Sequence, residues 1–105
     1  MVVDLIMGLD IGSSTTKVVI RQAWAGDDNF YVVDFKEFGQ PGATYLLPTA
    51  LCFDETTNSY FVPNRNQVAD YEDIKYKFIQ GAENSDIILS AFIAWVMQYS
   101  KKYFL

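Results

Sequence analysis

The sequence predicts an α+β domain built from an antiparallel three-stranded β-meander, a β-hairpin and one long C-terminal helix. Three observations predict it. Apolar residues Leu5, Ile6, Leu9 and Ile11, then Val18, Val19 and Ile20, flank a short Gly/Ser/Thr tip, which is strand material around a tight reversal. A second β-rich pair, Tyr45 to Phe53 and Tyr60 to Val62, brackets a turn-forming stretch. Near the end, Ile88, Phe92, Trp95, Tyr99 and Tyr103 recur at spacings of three and four, the period of one helix face.

Taken in order, the hairpin is followed by Ala25-Gly26-Asp27-Asp28-Asn29, a cluster of turn formers. Strand character resumes over Phe30 to Glu37, where Tyr31, Val33 and Phe35 share one face. Residues 1–37 therefore read as the meander. Gly39-Gln40-Pro41-Gly42 breaks the pattern, and residues 46–63 read as the second hairpin, with Pro48 near its start where a missing N–H does least harm. Residues 64–82 read as a loop segment, with a short helix or turn over Gln67 to Tyr71. The helix is expected over 86–103: Asn84 or Ser85 can cap it, Asp86 suits its positive end, and Lys101 and Lys102 suit its negative end. Its apolar section, Ile87 to Met97, is too short to span a bilayer and predicts a helix buried on more than one side.

Composition narrows the function classes. In 105 residues, 50% hydrophobic and 16% aromatic, there is material for one folded domain with a modest core, and disorder is excluded. The net charge of −5 and the pI near 4.4 argue against a nucleic-acid or anionic membrane partner, because both need clustered Lys and Arg. The absence of histidine removes Ser-His triads, His-ligated zinc and imidazole acid–base chemistry. Cys52, the single cysteine, cannot close an internal disulfide. With no basic-then-apolar leader at the start, that predicts a reducing cytoplasm.

The hairpin tip concentrates the chemistry. Gly12 allows close backbone approach, and Ser13, Ser14, Thr15 and Thr16 set hydroxyls beside loop N–H groups, an array suited to phosphate oxygens. Asp10 places a carboxylate at the entrance and Lys17 an ammonium at the exit. An anion above the loop would meet donors and a cation, and a hydrated divalent metal would meet the carboxylate. The same residues also make an ordinary hairpin turn. No Gly-Lys-Ser/Thr follows a glycine at the P-loop spacing, and the glycines are too few for a dinucleotide fingerprint.

Gly8-Leu9-Asp10-Ile11-Gly12-Ser13-Ser14 resembles the first phosphate loop of the actin, sugar-kinase and heat-shock ATPase superfamily. Leu47-Pro48-Thr49-Ala50-Leu51-Cys52-Phe53-Asp54, Asn66-Gln67-Val68-Ala69 and Asp73-Ile74-Lys75-Tyr76-Lys77-Phe78-Ile79-Gln80-Gly81, in that order, resemble segments of DnaK-like chaperones, the seventy-kilodalton heat-shock family. The resemblance implies a partial actin-like, ribonuclease H-like ATPase lobe, the N-terminal part of a nucleotide-binding domain with ATP or ADP and Mg2+ as cofactors and little activity alone. It implies that Lys77 is catalytic at the γ-phosphate, that Asp10 is catalytic and holds magnesium through water, and that Gly12, Ser13, Ser14 and Thr15 wrap the phosphates. The place of Lys17 resembles one where a lysine stands in actin, which there reaches a phosphate, and in many sugar kinases. The implied partners are the remainder of the ATPase domain and co-chaperones. Two alternatives stand beside it: the N-terminal lobe of a sugar or acid kinase, and a stand-alone non-enzymatic module that binds protein.

Overall fold

The sheet grows around its second strand. In the computed structural model, which describes residues 5–22 and 30–104, β1 (Leu5–Ile11) and β2 (Thr15–Gln22) pair antiparallel, with Asp10 opposite Lys17 and Ile11 opposite Thr16. β3 (Phe30–Val32) lies on the other side of β2, with Val19 opposite Val32. β4 (Leu47–Pro48) shares that side, pairing with Thr15 and Thr16 at the loop end. The meander order is the expected one, while the turn expected at Ala25–Asn29 lies outside the described residues.

The third strand is shorter than its pattern predicts. It stops at Val32 because Asp34 folds back, its Oδ1 accepting the Lys36 N–H at 2.9 Å, and Lys36 then takes a left-handed φ of 53° at the start of a 3-10 turn over Lys36–Phe38. Val33 and Phe35 still point inward and are fully buried, while Tyr31 stays at the exposed margin of that face.

The run from Tyr45 to Phe53 is likewise two pieces, not one strand. Pro48 has no N–H, the Thr49 N–H goes to the Ser14 carbonyl, and the Leu51 N–H goes to the Tyr71 carbonyl, so the ladder cannot run through. β5 (Cys52–Asp54) and β6 (Ser59–Phe61) form the expected second hairpin in a separate two-stranded sheet. Gln67–Tyr71 makes bends and, at Tyr71, a bridge to Leu51, without a helix.

The segment 64–82, expected as loop, carries a six-residue helix, α1 (Ile74–Ile79). Its end is closed by two bonds, Ala82 N–H to the Lys77 carbonyl and Gly81 N–H to the Phe78 carbonyl, with Gly81 at φ 70°. Sequence periodicity over six residues is too short to betray such a helix.

The long helix α2 (Ser85–Phe104) matches its expected span within a residue at each end. Ile88, Phe92, Val96 and Ser100 form its buried stripe and pack into one core with Val18, Ile20, Phe35 and Leu47. Trp95 stacks on Tyr99 at 5.2 Å, and Phe38 meets the Trp95 ring edge-on at 5.0 Å, which pins the 3-10 turn to the helix. Burial on more than one side is corrected: Ile87 and Met97 are 51% and 49% exposed, so α2 is covered along one face only. No helix among the described residues is long and apolar enough to cross a membrane.

Candidate functional site

The β1–β2 tip is held by a residue of a distant strand end. The Gly12 N–H donates to the Thr15 carbonyl at 2.9 Å, closing the turn around Ser13 and Ser14. A Cβ on residue 12 would come within 2.7 Å of the Thr15 carbonyl oxygen, so the turn needs glycine there. Thr49 then fastens the tip from the side: its N–H donates to the Ser14 carbonyl at 3.0 Å, its hydroxyl donates to the Gly12 carbonyl at 3.1 Å, and it meets the Thr16 hydroxyl at 2.9 Å. Both threonines are buried.

This divides the expected phosphate-binding residues. Gly12 supplies the turn, and its own N–H is used inside it. Ser13 and Ser14 are exposed, and neither hydroxyl enters the bonds that lock the tip. Thr15 is half-buried and its backbone faces Pro48. Thr16, grouped with the loop hydroxyls in the sequence, is committed to Thr49 and faces the core. Asp10 is exposed and stands directly across the ladder from the half-buried Lys17, one carboxylate and one ammonium on the sheet face at the mouth of the turn. Adjacent strands lie about 4.8 Å apart, so the two charges share one small region.

Lys77 is exposed on α1 and lines a cleft of about 500 Å³ with Tyr60, Tyr71, Glu72 and the first turn of α2, and none of Asp10 to Lys17 lines that cleft. Asn84, at the lip, holds a left-handed φ of 61°. The described residues thus bring Asp10, Gly12, Ser13, Ser14, Thr15 and Lys17 together at the tip, and Lys77 lines a cleft that none of them lines.

Among the described residues no three His, Cys, Asp or Glu side chains converge on one point. Asp10 offers one carboxylate, which suits a hydrated Mg2+ that takes its remaining ligands from water and phosphate.

Sequence reasoning missed Thr49 as a site residue. A threonine placed immediately after a strand-edge proline was its only signal. Away from the tip, the Lys36 N–H and the Thr44 hydroxyl hold the Asp34 carboxyl below its ordinary value against the opposing effect of burial, with smaller help from the charges of Lys36 and Arg65. Burial, then Glu37 and Asp34, push the Tyr99 phenol up, and its hydroxyl donates to the Asp34 carbonyl at 3.2 Å.

Compared with known protein families, curated proteins and solved structures, the chain matches none.

Proposed function

We propose that this chain is a nucleotide-phosphate-binding lobe of an ATPase of the actin, sugar-kinase and heat-shock type, nearest in its motifs to the DnaK-like chaperones, working in the cytoplasm. The observation that carries the reading is the locked β1–β2 turn. It presents the Ser13 and Ser14 hydroxyls outward, with Asp10 and Lys17 facing each other at its mouth. A rigid donor loop favours phosphate because the donors need no reorganisation when the anion arrives.

In this reading Lys17 would balance phosphate charge and the Ser13 and Ser14 hydroxyls would donate hydrogen bonds to phosphate oxygens, while Asp10 would hold a hydrated Mg2+ through its water shell, an ion that would supply charge neutralisation. Lys77 stabilises charge that develops at the γ-phosphate during hydrolysis, a role exercised only in a complete ATPase. The loop is one wall, and a ligand site is a cleft that buries most of its ligand, so affinity for Mg-ATP is expected only at millimolar nucleotide. A kinase reading draws its support from Lys17 and differs in passing the phosphoryl group to a small hydroxyl compound instead of water.

The test is a titration of the 105-residue chain with ATP, with and without Mg2+, compared with Asp10→Asn. Tighter binding with Mg2+ in the wild type, lost in Asp10→Asn with an unchanged far-UV spectrum, is the expected outcome. Identical curves for both proteins across the magnesium series would remove Asp10 from the site.

A further inference from the structure

We propose that the outer edge of β1 is a self-association seam, where a second copy of this chain adds its own β1 antiparallel and joins two sheets into one. The seam is argued for the 105-residue chain from the outward edge of β1, and it uses no group of the Gly12–Thr15 turn.

Among the described residues β1 pairs only with β2, so it is an edge. The pairing parity says which backbone groups are left over. Gly12 and Thr15 are a hydrogen-bonded pair, and in an antiparallel ladder bonded and non-bonded pairs alternate. Asp10, Gly8 and Ile6 therefore bond to β2, while Leu5, Met7, Leu9 and Ile11 turn their N–H and C=O groups outward. The Val33 N–H bond to Val18, the partner of Leu9, agrees, since it shows Val18 facing away from β1.

Edges that avoid pairing carry outward lysines, prolines or bulges. β1, Leu-Ile-Met-Gly-Leu-Asp-Ile, has none of these, and Leu5, Ile6 and Leu9 are 45%, 53% and 37% exposed.

A second copy fits this edge better than an arbitrary strand because the edge is complementary to itself. Setting Gly8 opposite Gly8 of the other copy puts Met7 against Leu9 and Leu5 against Ile11. Every outward residue then meets an outward residue, and the seam gains about eight hydrogen bonds. The exposed Leu5 and Leu9 side chains meet apolar partners on the helix side of the sheet. The one charge on β1, Asp10, falls opposite Ile6, four residues along from the other Asp10. That is about 13 Å at the usual rise, beyond the roughly 8 Å screening length at physiological salt. Ile6 lies opposite Arg21 within its own copy, so the row across the seam runs cation, apolar, anion, cation.

The experiment combines sedimentation velocity with site-directed disulfides. Wild-type chain is expected to show a concentration-dependent dimer in the micromolar range, and Leu9→Lys is expected to sediment as a monomer. A Cβ at Gly8 meets only ordinary contact, 3.7 Å from the Val19 carbonyl oxygen, and Cys52 is buried, so cross-linking reports on residue 8 alone. Gly8→Cys is expected to form a covalent dimer under mild oxidation at least tenfold faster than Ile6→Cys, whose sulfurs would be held far apart. A wild-type monomer at all concentrations, or equal cross-linking of the two cysteine variants, would overturn the seam.

Discussion

Thr49 does two jobs with one hydroxyl and one amide: it holds the Ser14 carbonyl and the Gly12 carbonyl, and it pairs with the buried Thr16 hydroxyl. Thr49→Val keeps the shape and removes the hydroxyl, leaving a buried partner unsatisfied, so it is expected to cost about 1–3 kcal/mol in urea unfolding. Adding Thr16→Val removes that orphan, and the double variant is expected to recover part of the loss. An additive pair of losses would mean that the two hydroxyls do not interact. Asp34 gives a pH-dependent counterpart. Its carboxyl titrates below its ordinary value because the ionised form accepts the Lys36 N–H and the Thr44 hydroxyl. The stability it contributes is therefore fully present above the ordinary carboxylate range and is lost as pH falls through the lowered folded value. In acid titrations of thermal stability, Asp34→Asn is expected to flatten that limb. An unchanged acid limb would remove the contribution.

At the scale of elements, α2 was legible and α1 was not, for the same physical reason. Five apolar residues at helical spacing over 86–103 outweigh any local ambiguity, and the helix stands at Ser85–Phe104. Six residues starting at Ile74 offer one turn and a half, and their helicity depends on the closing bonds through Gly81 and Ala82, which no periodicity reveals. The long strand-like runs failed in a different way. Phe30–Glu37 and Tyr45–Phe53 have strand composition, but Asp34 and Pro48 divert the backbone bonds that a strand would need. Ser100 of α2 is fully buried, and its hydroxyl meets no hydrogen-bond partner among the described residues. Replacing it with alanine removes a desolvated polar atom from a helix and adds a better helix former, so Ser100→Ala is expected to raise stability by roughly 1 kcal/mol. A loss of stability on that change would show that the hydroxyl is satisfied in solution.

Over the whole molecule, the sheet and helix enclose one core, and the Gly12–Thr15 turn is fastened by Thr49, the residue that follows β4. The turn itself was readable, because Gly12 with hydroxyl residues between two apolar runs has few other local solutions. Which hydroxyls remain available was not readable, since Thr16 and Thr15 differ from Ser13 and Ser14 only through contacts made by residues more than thirty positions away. The position of Lys77 was likewise out of reach of spacing, because it depends on how α1 sits against β6 and α2. Binding of nucleotide phosphate at the Gly12–Thr15 turn is read by mapping backbone amide shifts in the 105-residue chain as Mg-ATP is added. Shifts centred on Ser13, Ser14, Thr15 and Lys17, retained in Lys77→Ala and reduced in Asp10→Asn, are the predicted result. Shifts confined to the Lys77 cleft, or none at millimolar nucleotide, would contradict it.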